Sequence, residues 1–336
     1  MRIRVAVIGG GSWGTTVAHL AAHHVPTLLW ARREDLAEEV NTAHSNERYL
    51  PGHRLHEDLR ATADLAEAVS SADVLVMGVP SLGFRGALEA CAEHVRAWVP
   101  VLSLTKGFEQ GTRLRMTQVV NEVLPGHPAA VLTGPNLAKE ILAGDAAAAV
   151  IASPDPVVAQ QLQRIFHQNL FRVYVNPDVT GCEVAGALKN VIAIAAGMAD
   201  GLGAGDNTKA AVITRGLAEL SRLGEAMGGK FATFSGLAGM GDLIATCMSE
   251  QSRNRFVGEE LGRGRSIDEI ITEMNMVAEG VRTSRVVMEL ADEYGVEMAI
   301  SSEVFAVCHE GRPAIDAYRG LIRRQQGGVE FSRLEY

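Results

Sequence analysis

The feature that most constrains the fold is the alternation of short β-branched runs with helical patterns over residues 1–177. Six of these runs have the length and composition of strands: IRVAVIG, TLLWA, VLVMGV, VPVLSLT, AAVLTG and AAVIAS. Short apolar strands separated by amphipathic helices are typical of a doubly wound sheet, whose strands are parallel and buried on both faces. The sequence therefore predicts an α/β domain over residues 1–177.

The pattern changes after the turn-rich stretch VNPDVTG, residues 175–181. From there the chain consists of long helical segments rich in alanine and leucine, with no convincing strand alternation. A chain of 336 residues is long enough for two domains of ordinary size. We therefore expect a second, all-α domain over residues 178–336.

Composition and charge exclude several classes of protein. The net charge of -9 argues against a nucleic-acid-binding protein, which would need a basic face. The four cysteines form no CxxC pair and the ten histidines no HExxH motif, so we expect reduced thiols and no metal site. The longest uninterrupted apolar run, Ala146–Ala152, is far shorter than the ~20 residues of a membrane span. The chain also opens on a strand-like run rather than a signal peptide, which predicts a soluble, cytoplasmic protein.

A glycine motif lies between the first strand and the first helix. Gly9, Gly11 and Gly14 form GxGxxG within VAVIGGGSWGTTVAHLAA. The glycines permit a tight turn, close approach of a pyrophosphate to the backbone, and close packing of the helix, whose N-terminus favours phosphates. A tight turn without a ligand is the alternative, but the strand before the motif and the helix after it favour a Rossmann-type dinucleotide site.

The end of the second strand bears on the choice of cofactor. An acidic residue there would hydrogen-bond the ribose 2′-hydroxyl of NAD, whereas arginine suits the 2′-phosphate of NADP. The segment LLWARRE supplies Arg32 and Arg33, with Glu34 only after them. The sequence therefore favours NADP(H) over NAD(H), and two surface arginines at a helix start are the alternative interpretation.

Two later strand ends carry polar residues. Lys106 follows a strand in VLSLTKGFE, and Gly134 and Asn136 follow another in AVLTGPNLAKE. Ligands of open α/β sheets bind outside the carboxyl ends of the strands, so these residues face the predicted cofactor crevice. The alternatives are an exposed loop lysine and an ordinary asparagine N-cap.

A glycine-rich stretch in the second half, FSGLAGMGDLIATCMSEQSRNRFVG, is followed at once by polar residues. Asp242 and Thr246 are four residues apart and would share one helical face. Ser252, Arg253 and Asn254 offer hydrogen-bond donors suited to a phosphate and a hydroxyl. Taken singly, these would be ordinary solvated side chains.

One lysine, Lys189, interrupts the apolar stretch EVAGALKNVIAIAAGMAD, with Asn190 beside it. A helix that is apolar on all sides is normally buried. Lys189 either extends along its methylene stem to the surface or holds its ammonium in a low-dielectric site, where it can exchange a proton near neutral pH. The residues of the helix alone leave both alternatives open.

Several motifs in this order resemble the NAD(P)-dependent glycerol-3-phosphate dehydrogenases of the bacterial type, which make sn-glycerol 3-phosphate from dihydroxyacetone phosphate for phospholipid synthesis. The motifs span nearly the whole chain: GGGSWG, LTKGFE, GPNLAKE, GALKNVIAIAAG, GLAGMGDLIATC, SRNRFVG and VAEGVRT. The resemblance implies an N-terminal Rossmann-type doubly wound sheet followed by an all-α C-terminal domain. It also implies a homodimeric oxidoreductase that acts on a small phosphorylated substrate.

The resemblance implies a role for each matching residue. Lys189 is the expected general acid and base, with Asp242 holding its orientation and Lys106, Asn190 and Thr246 supporting it. The expected substrate contacts are Lys106, Gly134, Asn136, Lys189, Asp242, Ser252, Arg253 and Asn254. The expected cofactor contacts are Gly9, Gly11, Ser12, Trp13, Gly14, Arg32, Arg33, Lys106, Ala138, Arg253, Val277 and Glu279. The family usually has serine or threonine where this chain has Asn136, so we expect altered contact geometry there.

Two rival interpretations make different demands on the same residues. A related reductase of a 3-hydroxy acid or a sugar nucleotide would use Arg253 for a carboxylate instead of a phosphate. A non-catalytic NAD(P)H sensor would require neither Lys189 nor Asp242, and would bind the cofactor without turning it over.

Overall fold

The structure, a computed structural model, describes residues 3–274 and 278–324 of the chain. The described part divides into two compact units. The first comprises the residues up to Ala187 together with Gly224–Ala245, and the second comprises Leu188–Leu223 and the residues from Thr246 onward. This division differs from the predicted boundary between residues 177 and 178.

The difference arises because the start of the long apolar helix is bound within the first unit. The Asp178 carboxylate accepts hydrogen bonds from the backbone N–H of Gly181 and of Lys230, both at 2.8 Å, and from the Thr233 hydroxyl at 2.6 Å. These bonds join residues 178–187 to residues 224–245. The sequence pattern predicts the residue at which strands end and helices begin, but it does not show which helices pack together.

An eight-stranded sheet forms the centre of the first unit, with strand order β3-β2-β1-β4-β5-β6-β7-β8. The strands are β1 (Val5–Ile8), β2 (Thr27–Trp30), β3 (Arg60–Thr62), β4 (Val74–Met77), β5 (Val101–Ser103), β6 (Ala129–Thr133), β7 (Ala147–Ala152) and β8 (Phe171–Asn176). The order reverses between β1 and β4, which is where doubly wound sheets bind their ligands. The predicted doubly wound sheet is thus confirmed.

Strand direction departs from the prediction at one pair, because β6 and β7 are antiparallel while all other neighbours are parallel. A parallel crossover must return the chain along the length of the strand that it leaves. Helix α6 (Ala138–Ala143) is only about 9 Å long, against about 16 Å for β6, so the chain turns back directly. The sequence analysis also missed β3 and β8, which are the two edge strands and have exposed residues in place of an apolar run.

Helices cover both faces of this sheet. Those that precede or follow its strands are α1 (Ser12–Ala22), α2 (Glu34–Ala43), α3 (Leu65–Ser70), α4 (Ser81–Ala92), α5 (Met116–Val123), α6 and α7 (Pro156–Phe166). Along β1 the side chains alternate between two apolar clusters: Val5 and Val7 belong to one, and Ala6 and Ile8 to the other. Each of these four residues is at most 2% exposed, as expected for a strand that is buried on both faces.

From residue 178 the described part of the chain is helical, as predicted. The helices are α8 (Val179–Gly201), α9 (Asp206–Ala226), α10 (Phe231–Phe234), a π-helical segment (Leu237–Gly241), α11 (Asp242–Met248), α12 (Arg253–Gly262), α13 (Ile267–Glu273), α14 (Glu279–Tyr294), α15 (Ala299–His309) and α16 (Ala314–Arg324). By length and composition, α8 and the segment Phe231–Met248 pass the test for a membrane span, but so does the core helix of a soluble protein. The apolar part of α8 is entirely buried, as in such a core helix.

The cysteines and histidines were predicted to carry no disulfide and no metal. All four cysteines are buried, and none of them forms a disulfide bond within the described residues. Within residues 3–274 and 278–324, no group of three His, Cys, Asp or Glu side chains is placed to hold a metal ion.

Three imidazoles lie against each other beside α1. The backbone N–H of His56 donates to Nδ1 of His19 at 2.9 Å, and Nε2 of His19 lies 3.3 Å from Nε2 of His23. Burial lowers the pKa of His19, the charges of His23 and His56 lower it as well, and together they bring it to about 4. Because Nδ1 of His19 accepts a hydrogen bond, protonating that atom would also break the bond to residue 56.

We predict that His19 makes the protein less stable as the pH falls from about 6.5 to about 4. In this range the unfolded chain carries the proton and the folded chain does not, so the free energy of unfolding should fall by about 2–3 kcal/mol. Urea denaturation at pH 7, 6 and 5 will measure the decline, and His19→Gln should show a shallower one. Parallel declines in the two proteins would contradict the prediction.

Candidate active site

The turn between β1 and α1 is held by close contacts between glycines. Gly9 has a φ of +121°, and a Cβ there would lie 2.6 Å from the carbonyl oxygen of Gly78 at the end of β4. A Cβ on Gly14 would lie 2.1 Å from the carbonyl oxygen of Gly9. A Cβ on Gly11, by contrast, would meet nothing within 4 Å. The turn is therefore packed at its first and third glycines and open at its second, where a pyrophosphate would approach.

The N-terminus of α1 offers donors to the same open side. Gly11 is the N-cap residue, Ser12 is the first residue of the helix, and within the described chain no side chain caps this end. The first turn has no acidic residue, and the indole Nε1 of Trp13 is buried without a partner among the described residues. An uncapped helix end with an unused buried donor fits an anionic dinucleotide.

Arg32 and Arg33 follow β2, as predicted, but their surroundings differ. Arg33 is the N-cap residue of α2 and forms an exposed ion pair with Asp35. This hydrogen-bonded pair raises the pKa of the Arg33 guanidinium and lowers the pKa of Asp35 to about 2. Arg32 is exposed and has no ion pair or hydrogen bond within the part of the chain that the structure describes.

Lys106 lies at the carboxyl edge of the sheet, where it binds a carboxylate and a backbone carbonyl. Its Nζ donates to Oδ2 of Asp242 at 2.6 Å and to the carbonyl oxygen of Gly134 at 2.8 Å. The Asp242 side chain is 2% exposed and the Lys106 side chain 16%. The predicted residues Lys106, Gly134 and Asp242 therefore lie together.

Asn136 lies just beyond Gly134, ahead of α6, whose first residue is Ala138. The oxygen and the nitrogen of its side-chain amide are both buried and find no hydrogen-bond partner among the described residues. Leaving such a group unbonded costs roughly 1–3 kcal/mol. Asn136 is therefore not an ordinary N-cap, since Leu137 is the N-cap residue of α6.

Lys189 is the buried lysine of α8. It is 5% exposed, and its Nζ donates to Oγ1 of Thr246 at 2.6 Å. Thr246 is on α11, four residues after Asp242, as the spacing predicted. The side chain does not extend to the surface, which removes the first of the two interpretations of this lysine.

The neighbouring Asn190 belongs to a second buried group. Nδ2 of Asn254 donates to Oδ1 of Asn190 at 2.9 Å, and Oδ1 of Asn254 accepts from the backbone N–H of Gly280 at 2.9 Å. Gly280 follows Glu279, the first residue of α14. The amide of Asn254 thus joins α8, α12 and the start of α14.

Ser252 and Arg253 begin α12. Ser252 is its N-cap residue and accepts from the backbone N–H of Arg255, while Arg253 is exposed. Desolvation of its guanidinium lowers the pKa of Arg253, and the negative charge of Glu279 partly offsets this shift. Val277, an expected cofactor contact, lies outside the described residues.

The expected site residues are divided between the two units. Gly9, Gly11, Ser12, Trp13, Gly14, Arg32, Arg33, Lys106, Gly134, Asn136, Ala138 and Asp242 lie in the first, and Lys189, Asn190, Thr246, Ser252, Arg253, Asn254 and Glu279 lie in the second. The sequence analysis missed Gly78, which packs against Gly9. Its only sequence signal is a glycine at the end of the strand VLVMGV.

Two family models match the chain, the N-terminus of NAD-dependent glycerol-3-phosphate dehydrogenase over residues 4–159 and its C-terminus over residues 178–319. A glycerol-3-phosphate dehydrogenase [NAD(P)+] of Sphingopyxis alaskensis is 58% identical, covering 97% of this chain and 98% of that protein. One of Mycobacterium avium is 56% identical, covering 96% and 95%. The crystal structure of glycerol-3-phosphate dehydrogenase from Coxiella burnetii aligns with a TM-score of 0.92 at 36% identity, covering 96% of this chain and 99% of that one.

We predict that Asp242→Asn lowers the free energy of unfolding by about 3 kcal/mol, because it removes one partner of a buried ion pair. Urea denaturation measures the change. Asp316→Asn is the control, since Asp316 and Arg319 form an exposed pair and the loss should stay below about 1 kcal/mol. Equal losses in the two variants would show that the buried pair contributes no more than a surface pair.

Proposed function

Because the chain belongs to the family of NAD-dependent glycerol-3-phosphate dehydrogenases, we propose that it interconverts dihydroxyacetone phosphate and sn-glycerol 3-phosphate with NAD(P)H. It is an oxidoreductase, and its product would supply phospholipid synthesis. The observation that carries the proposal is Lys189, a lysine that is 5% exposed on an apolar helix and hydrogen-bonded to Thr246. A hydride-transfer reaction to a ketone needs an acid of this kind.

Reduction of a ketone builds negative charge on the carbonyl oxygen. A positioned ammonium stabilises that charge and supplies the proton, and in the reverse direction the neutral amine accepts it. We assign this role to the Nζ of Lys189, oriented by Thr246. When bound, the reduced nicotinamide supplies the hydride, while the protein contributes position and electrostatics.

The other polar residues are assigned to substrate and cofactor. Lys106, held by Asp242 and the Gly134 carbonyl, contributes a positive charge at the sheet edge, and the unpartnered amide of Asn136 offers donors and an acceptor. Ser252, Arg253 and Asn254 are assigned to the phosphate and a hydroxyl of the substrate, with Asn190 bound to Asn254. Arg253 and Glu279 are also assigned to the cofactor.

The cofactor is NAD(P)H, and we propose a preference for NADPH. The support is Arg32, an exposed arginine after β2 without an ion pair among the described residues. In this proposal residues 1–177 form the dinucleotide-binding domain and also contribute Lys106 and Asn136 to the substrate site. Residues 178–336 form the catalytic domain and also contribute Arg253 and Glu279 to the cofactor site. The protein is a cytoplasmic homodimer.

The test of function is the oxidation of NADPH and NADH in the presence of dihydroxyacetone phosphate. Fast oxidation is expected. Oxidation only with a carboxylated ketone would favour a reductase of a 3-hydroxy acid, and binding of NADPH without turnover of any ketone would favour the sensor.

We predict that Lys189→Met lowers kcat by about 10²–10⁴-fold, because methionine keeps the apolar stem but cannot donate a proton. NADPH binding should stay near the wild-type level. Lys209→Met is the control, since Lys209 is a partly buried helical lysine that forms an ion pair with Asp200 but has no assigned catalytic role. Unchanged turnover in Lys189→Met would remove the acid–base assignment.

We predict that Arg32→Ala weakens NADPH binding at least about tenfold more than NADH binding, which is the loss of one charge-assisted phosphate contact. Arg33→Ala should discriminate less, because Arg33 is already paired with Asp35. Dissociation constants from the quenching of protein fluorescence give both ratios. If Arg32→Ala weakens the two cofactors equally, Arg32 does not contact the 2′-phosphate.

A further inference from the structure

A buried asparagine outside the glycine motif is bonded to the turn that the motif forms. Asn46, in the segment between α2 and β3, has no exposed surface. Its Nδ2 donates to the carbonyl oxygen of Gly10 at 3.0 Å and to Oγ1 of Thr15 at 2.9 Å. Its Oδ1 accepts from the backbone N–H of Tyr49 at 3.3 Å. Both amide hydrogens are therefore used on the turn and on the first helical turn that follows it.

Gly10 is also enclosed from another direction. A Cβ there would lie 2.9 Å from Cδ2 of Leu36 and 3.1 Å from Cβ of Ala31. With Gly9 packed on Gly78 and Gly14 on Gly9, each part of the turn has a protein neighbour except Gly11. Asn46 makes a polar contact with the turn. Its amide donates to the carbonyl of the peptide that joins Gly10 to Gly11.

The backbone direction of this turn decides whether its N–H groups face a pyrophosphate. A peptide between two glycines has few steric restrictions of its own, so an external bond to its carbonyl fixes the plane in which its N–H points. Donors that are fixed in advance bind better, because binding then costs less ordering of the loop. The Thr15 bond extends this control to the helix N-terminus.

We propose that Asn46 is a positioning residue for the dinucleotide, which holds the Gly10 peptide and the start of α1 in the orientation that binds the cofactor pyrophosphate. The proposal rests on the proposed NAD(P)H-binding function. Because the pyrophosphate is common to both cofactors, loss of Asn46 should weaken NADPH and NADH alike, unlike loss of Arg32.

The experiment measures dissociation constants of NADPH and NADH for Asn46→Ala and Thr15→Val, together with Tm. Asn46→Ala removes two donors and should weaken both cofactors about tenfold. Thr15→Val removes one of the two acceptors and should weaken both by a smaller factor. Asn41→Ala is the matched control, because the Asn41 amide makes two bonds to the Ala61 backbone and none to the turn.

Asn41→Ala is expected to lower Tm without changing either dissociation constant, as a merely structural asparagine would. If Asn46→Ala is folded and binds both cofactors within twofold of the wild type, the proposal is wrong. If Asn46→Ala does not fold, an unchanged affinity in Thr15→Val overturns it instead. Failure of the wild type to bind either cofactor would contradict the proposed function itself, and so the two failures are distinguishable.

Discussion

The arrangement of the second unit depends on one close contact between the backbones of two helices. A Cβ on Gly197 of α8 would lie 2.0 Å from the Arg255 carbonyl oxygen, and a Cβ on Gly258 of α12 would lie 2.0 Å from the Ile194 carbonyl oxygen. Only glycine permits helices to approach this closely. Because each glycine lies against a carbonyl oxygen of the other helix, the contact fixes the register of α12 against α8, and so it determines which polar groups of the two helices meet.

On either side of this contact, polar groups of α8 and α12 bind each other. At one end Asn254 donates to Asn190, beside Lys189. At the other, Asp200 of α8 pairs with Arg255 at 2.7 Å and with Lys209 at 2.8 Å. Placing charged groups among buried helices costs free energy unless each has a partner. The glycine contact meets this requirement, because it brings each polar or charged group within hydrogen-bond distance of its partner before any ligand binds.

The sequence was sufficient to predict the features that depend on local chemistry. The doubly wound sheet, the GxGxxG turn and the helical second half follow from periodicity and from glycine, which act within a few residues. The reversal of β7 and the packing of residues 178–187 with 224–245 do not, because they depend on how far a short helix reaches and on bonds such as that of Asp178 to Lys230. Asn46 was missed for the same reason, since its partners Gly10 and Thr15 lie more than thirty residues away in the chain.

Asn136 shows how a departure from a family pattern can be interpreted physically. A serine or threonine hydroxyl at this position has one donor and can satisfy it locally by bonding to nearby backbone. The amide of Asn136 has two donors and one acceptor atom, and none of them is satisfied among the described residues, although both polar atoms are buried. Such a group destabilises the unliganded protein, and a ligand that bonds to it recovers that free energy on binding. In the proposed function, asparagine at this position therefore lowers the stability of the unliganded protein and strengthens ligand binding, because a hydroxyketone presents both an acceptor and a hydroxyl donor to the amide.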